Sequence, residues 1–120
     1  MAIAEDEMPI LVIYERILAA SGFDLSGSFG NGKDLTDFLL SNKDPMSEPD
    51  VVIVDLRMPI MDGVEATKII RAAKPQIKII LASAYDVPQA SVDLFDFILK
   101  KPFARNELIE AVTRVVGREV

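Results

Sequence analysis

A chain of 120 residues and 13.2 kDa has room for one domain, spanning 1–120, and its 50% apolar composition supplies core enough to fold without staples. With no cysteine and no histidine, disulfides, thiolate or imidazole metal sites, cysteine nucleophiles and the commonest general base are excluded, so any chemistry falls to carboxylates, hydroxyls, amines and guanidinium groups. The 13 Lys and Arg against 19 Asp and Glu, a net charge of −6, argue against whole-surface affinity for nucleic acid or anionic lipid.

The N-terminus, Met1-Ala2-Ile3-Ala4-Glu5-Asp6-Glu7, is acidic where a secretory signal would be basic. No apolar run approaches the ~18 residues of a membrane span, so a cytoplasmic location without membrane contact is expected. Ala2 to Glu5 reads as a short first strand, followed by a helix with Pro9 in its first turn and Gly22 as its terminator. Treating Ile10 to Tyr14 as the strand instead would leave too few residues before Gly22 for a crossover helix. At 100° per residue, Ile10, Ile13, Tyr14, Ile17, Leu18 and Ser21 fall on one face, and Val12 is the expected outward-facing large apolar residue.

Asp24 to Phe29 reads as a weak second strand, Leu35, Phe38 and Leu39 mark a short helix, and Ser41 to Pro49 is a surface loop. Asp50–Asp55, Ile77–Ala82 and Phe95–Leu99 are continuous apolar runs, the mark of parallel strands buried on both faces. Helical spacing covers Gly63–Ala73 and Arg105–Val116, while Val87 to Leu94 allows only about two turns. Five strands alternating with five helices predict an α/β domain with a parallel sheet.

Ligands of such a sheet sit beyond the carboxyl ends of its strands. The residues there are Glu5 and Asp6, then Asp55, then Ser83, then Lys101. Three converging carboxylates would repel each other by about 3 kcal/mol per pair at ~5 Å and an effective dielectric near 20, unless a cation or protons intervene. An all-oxygen donor set favours Mg²⁺, with Mn²⁺ as the alternative. Asp62-Gly63 is most simply a turn that starts a helix, and Tyr14 belongs to the core.

The segment Val51-Val52-Ile53-Val54-Asp55-Leu56-Arg57-Met58-Pro59-Ile60-Met61-Asp62-Gly63-Val64-Glu65 resembles the phosphoacceptor region of two-component response-regulator receiver domains. The likeness extends through Ala4-Glu5-Asp6-Glu7, Leu81-Ala82-Ser83-Ala84 and Leu99-Lys100-Lys101-Pro102-Phe103, in the family's order. It implies a flavodoxin-like (βα)5 three-layer sandwich with a five-stranded parallel sheet, and Asp55 as the residue phosphorylated by a partner histidine kinase or phosphotransfer protein. By the same resemblance, Asp6, Asp55 and the backbone carbonyl of Arg57 would hold Mg²⁺, with Glu5 serving it through water. Lys101 would pair with one phosphoryl oxygen, Ser83 would bond another, and Lys101-Pro102 is where the family commonly has a cis peptide.

The sequence departs from the family at several points. Glu5 stands where Asp is commoner, and the stretch from Ser83 to Lys101 is about four residues short, which predicts a shortened fourth helix. Ile98 occupies the switch-aromatic position if Lys101 is the matching lysine, and Phe97 occupies it if Lys100 is. The resemblance implies a signalling phosphoacceptor, with weak self-phosphorylation and self-dephosphorylation, rather than a metabolic enzyme. Its output would pass to a protein partner or a second receiver copy, without nucleic-acid contact by this chain, which ends directly after the last helix. The alternative is a pseudo-receiver, a binding module that works without phosphorylation. Arg57 stands where an aspartate-nucleophile phosphohydrolase needs a second acid, and Glu5-Asp6-Glu7 is the electrostatic opposite of a phosphate cradle. Val12 would be a kinase-docking contact.

Overall fold

The computed structural model describes residues 1–117. Five parallel strands, β1 (Ala2–Ala4), β2 (Gly27–Phe29), β3 (Val51–Asp55), β4 (Lys78–Ser83) and β5 (Phe97–Lys100), form one sheet in the order β2-β1-β3-β4-β5. Four α-helices, α1 (Met8–Ala20), α2 (Gly32–Ser41), α3 (Gly63–Ala73) and α4 (Arg105–Val116), and a 3₁₀ helix over Gln89–Leu94 make the crossovers and the final layer. The strand order reverses between β1 and β3, which opens a crevice at their carboxyl ends.

Alternation along the strands builds two cores. Val52, Val54, Ile79 and Leu81 face Leu35 and Leu39 of α2 and Ile70 of α3. Ile3, Val51, Ile53 and Ile80 face Leu11, Tyr14 and Leu18 of α1 and Leu108, Ala111 and Val112 of α4. The sheet is therefore covered on both sides, as its continuous apolar strands require.

Local chemistry sets the helix ends. Asn31 caps α2 by accepting the Asp34 N–H at 2.8 Å, and Asp62 caps α3 by accepting the Glu65 N–H at 2.9 Å, the helix-starting role expected for Asp62. Pro9 lies in the first turn of α1, and Gly22 beyond its end adopts φ +86°, open to glycine at no steric cost.

The buried face of α1 differs from the expected stripe. Leu11 is buried with Tyr14 and Leu18, whereas Ile13 is 54% exposed, so Val12 shares the surface with Ile13 and Met8. The i, i+3, i+7 row that meets α4 and the sheet lies to one side of the stripe a maximum-hydrophobicity count selects, because nearly every residue from Ile10 to Ile13 is apolar.

The strand ends also shift. β4 runs one residue later than expected, taking Ser83 into its last position, and β5 begins at Phe97 rather than Phe95. Asp96 replaces strand pairing with a side-chain bond: its Oδ2 accepts the Ile79 N–H at 2.8 Å while its own N–H donates to the Ile79 carbonyl. Phe95 turns into the core beside α3.

The shortened fourth helix is the 3₁₀ segment, which buries none of its own residues. Arg71 of α3 holds its end. The guanidinium donates twice to the Leu94 carbonyl (3.0 and 2.8 Å), once to the Ile77 carbonyl (3.0 Å), and pairs with Asp96 at 2.7 Å. No helix among the described residues is long and apolar enough to cross a membrane.

Candidate functional site

β3 ends at Asp55 in the crevice, and the chain must then turn back to start α3. The Gly63 N–H donates to the Leu56 carbonyl at 2.9 Å, and the helix start lies so close to β3 that a Cβ on Gly63 would fall 2.3 Å from the Asp55 carbonyl oxygen. Ile60 in the connecting loop takes φ +71°, an uncommon backbone for a β-branched residue. The Met61 carbonyl accepts the Gly32 N–H at 3.1 Å, which fixes this loop to α2.

Glu5 and Asp6 follow β1 directly, so the strand pairing Ala4 with Val54 sets them beside Asp55. One carboxylate oxygen from each of Glu5, Asp6 and Asp55 lies within 4.8 Å of the others, the convergence expected from the strand ends. Asp6 is exposed, Asp55 half-buried, and Glu5 is 1% exposed. Oxygen donors alone, two of them open toward solvent, fit a hard divalent cation.

Lys101 leaves the end of β5 across a cis Lys101-Pro102 bond and reaches the same place. Its Nζ lies 2.6 Å from Glu5 Oε1 and 3.5 Å from Asp55 Oδ1. Lys100 points away, pairing with exposed Asp86 at 2.6 Å. Lys101 is thus the lysine at the carboxylates, and Ile98 holds the position three residues before it, packed against the core on the α3 side. Phe97 packs on the opposite side, with the Arg114 guanidinium 5.8 Å from its ring centroid.

Burial and the neighbouring Glu5 push the Asp55 carboxyl up to about 7, against the opposing pull of Lys101 and of the Leu56 N–H that Oδ1 accepts at 2.9 Å. Burial also works to depress Lys101, but its hydrogen bond to Glu5 and the charges around it prevail and raise its pKa.

Ser83 is buried, and its hydroxyl is engaged in both directions by Tyr85: it donates to the Tyr85 carbonyl and accepts the Tyr85 N–H, each at 2.9 Å. The Arg57 guanidinium lies 3.9 Å from the Tyr85 ring centroid, a cation–π contact. Arg57 and Tyr85 line, with Asp6, Asp55, Ala84 and Lys101, a cleft of about 350 Å³.

Tyr14, read from sequence as core, is buried as expected but also borders this site. It stacks on Phe103 with ring centroids 5.5 Å apart, and burial raises its hydroxyl to about 12, moderated by nearby Lys101. Only its helical spacing from the acidic loop could have indicated the second location.

Comparison with known proteins agrees with this geometry. The sequence model described as "Response regulator receiver domain" matches residues 1–113. The chain is 32% identical to the DNA-binding transcriptional regulator NtrC of Escherichia coli (strain K12), over 96% of this chain and 24% of NtrC, so it spans about a quarter of that relative's length. It is 29% identical to the chemotaxis protein CheY of Thermotoga maritima, over 94% of this chain and 93% of CheY.

Among solved structures, the response regulator protein TrrA of Thermotoga maritima, in complex with Mg(2+)-BeF, superposes with a TM-score of 0.79 at 29% identity, covering 95% of this chain and 96% of that one. A CheY-like receiver domain protein from Methanospirillum hungatei JF-1 superposes with a TM-score of 0.84 at 19% identity, covering 97% and 91%, and supports the fold. With the flavodoxin-like sheet, the acidic cluster and the matched sequence together, this chain belongs to the response regulator receiver domain family of two-component systems.

Proposed function

We propose that Asp55 accepts a phosphoryl group from a phosphohistidine of a partner histidine kinase or phosphotransfer protein, in a reaction that depends on Mg²⁺ or Mn²⁺. The observation that carries this reading is the meeting of Asp55 with Asp6, Glu5 and Lys101 at the strand ends of a receiver domain. An Asp55 carboxylate oxygen attacks phosphorus, the P–N bond breaks, its electron pair returns to the donor imidazole, and an acyl phosphate forms.

Asp6 and Asp55, with the Arg57 backbone carbonyl, are the groups to hold the cation, and Glu5 adds negative charge beside them. When bound, the cation neutralises charge on the transferring phosphoryl oxygens and favours ionised Asp55. Lys101 supplies a point charge to one phosphoryl oxygen. Ser83 has one hydroxyl proton, now donated to the Tyr85 carbonyl, so bonding another phosphoryl oxygen breaks that bond, and the resulting shift at Tyr85 is the conformational step that carries the signal to a protein partner. The exposed side chains of Met8, Val12 and Ile13 on α1 suit donor docking.

Incubation with Mg²⁺ and acetyl phosphate, followed by intact mass measurement, tests the reading. A gain of one phosphoryl group by the wild type, absent in Asp55→Asn and abolished by chelator, is expected. No gain from acetyl phosphate or from any phosphorylated histidine kinase would replace it with the pseudo-receiver.

A further inference from the structure

We propose that Asn31-Gly32 is a covalent modification site, where Asn31 deamidates with water as co-reactant, and that the loop between β3 and α3 holds the reaction closed. The chemistry needs a backbone nitrogen free to attack the preceding side-chain amide. The Gly32 nitrogen gives its proton to solvent and bonds to Asn31 Cγ; the Cγ–Nδ2 bond breaks, and Nδ2 takes up a proton and leaves as ammonia. Water then opens the cyclic imide at one carbonyl to give aspartate, or at the other to give isoaspartate. Glycine, with no side chain beside the attacking nitrogen, hinders this least.

The fold demands both reactants. A Cβ on Gly32 would lie 2.6 Å from the Met61 carbonyl oxygen and 3.0 Å from Ala66 Cβ, so a larger residue does not fit after Asn31. Asn31 is 8% exposed and caps α2: its Oδ1 accepts the Asp34 N–H at 2.8 Å, and its Nδ2 donates to Asp34 Oδ2 at 3.1 Å. An ionised aspartate could accept the first bond but has no proton for the second. The same contacts disarm the pair. The Gly32 N–H is given to the Met61 carbonyl at 3.1 Å, and Asp34 holds the Asn31 amide at both ends. Attack therefore waits for a local opening in which the start of α2 parts from the β3–α3 loop. The product is lasting. Aspartate sets a second carboxylate against Asp34, and isoaspartate adds a methylene to the main chain, which moves Gly32 off Met61. The modification thus records how often this loop has opened.

Peptide mapping by mass spectrometry on the full chain tests this, with no phosphoryl donor present. At one mildly alkaline pH and temperature, the chain unfolded in guanidinium chloride should show the amide-to-acid mass shift at Asn31 sooner than at Asn42 or Asn106, which precede Lys43 and Glu107. The native chain should react more slowly by about tenfold or more. The Gly32 amide, followed by NMR hydrogen exchange, should be protected by the same factor to within about threefold, because one opening frees it for both reactions. Asn31→Ser, which keeps a capping oxygen, should remove the shift from this peptide. The isoaspartate form, separated by ion exchange, should lose the Gly32 protection. Native deamidation as fast as unfolded, or no preference for Asn31 in the unfolded chain, would overturn the proposal. So would a Gly32 amide that exchanges freely while Asn31 stays intact, or one still protected in the isoaspartate form.

Discussion

Replacing Gly63 by Ala adds a single methyl group at the tightest point of the fold. The new Cβ would lie 2.3 Å from the Asp55 carbonyl oxygen, 3.1 Å from its carbonyl carbon and 3.2 Å from Leu56 Cα, all backbone atoms with no rotamer to change. Relief requires α3 to retreat from β3 by about 1 Å, which strains the Gly63 N–H bond to Leu56 and loosens packing on both sides. Overpacking of this kind costs about 2–3 kcal/mol, and the helix-propensity gain of Ala is small at the first helical residue. For 120 residues, an unfolding entropy of about 0.25 kcal/mol/K turns that into a Tm loss of about 8–12 °C. Thermal and urea unfolding followed by circular dichroism measure it. Gly30→Ala is the control, since nothing lies within 4 Å of a Cβ there, and its stability should change by no more than about 0.5 kcal/mol. Because the clash is with the Asp55 backbone, Gly63→Ala should also slow the phosphoryl uptake proposed for Asp55. A Tm within about 2 °C of wild type would refute the argument that this contact sets the position of Asp55.

Three further substitutions probe the frame around the site. Thr67 is fully buried and its hydroxyl has no hydrogen-bond partner among the described residues, so Thr67→Val should stabilise the chain by about 1 kcal/mol in urea unfolding; destabilisation would mean the hydroxyl has a partner. Arg71→Met removes every guanidinium bond to Leu94, Ile77 and Asp96, and should cost about 2–3 kcal/mol while speeding amide hydrogen exchange across 89–96. Unchanged exchange there would show that the 3₁₀ segment does not depend on Arg71. Burial works to raise the Asp96 carboxyl, but the Ile79 N–H and Arg71 prevail and hold it below the ordinary range. Its contribution is therefore full above the unfolded carboxylate pKa of about 3.9 and is lost as pH falls through the lower folded value. Asp96→Asn should accordingly narrow the stability difference between neutral and strongly acidic pH, measured by urea unfolding at each pH; an undiminished difference would refute the assignment.

Much of the molecule was legible in the linear sequence because its determinants are local or nearly so. Continuous apolar runs such as Val51–Val54, short and bounded by turn residues, read as strands buried on both faces, whereas the equally apolar Ile10–Tyr14 is assigned to a helix by chain length, and the residue after such a strand emerges at the ligand-bearing edge. Hence Glu5, Asp6, Asp55 and Lys101 are brought together by strand-end position alone, and Asp62-Gly63 reads as a turn and helix entry, where the structure adds the Asp62 cap on the Glu65 N–H.

What the tertiary structure decided are choices among groups that look alike locally. Leu11 rather than Ile13 faces the core because the docking angle of α1 on the sheet and α4, not its own hydrophobicity, selects the buried row. β5 starts at Phe97 because Asp96 finds the Ile79 amide and Arg71, contacts 17 and 25 residues away. Glu5 meets Lys101 across 96 residues of sequence, and which of three neighbouring acids takes the lysine depends on burial and reach that no local pattern contains. Periodicity reports which residues are apolar and how far apart they stand; partner choice among polar groups depends on desolvation and distance, which exist only once the sheet has assembled.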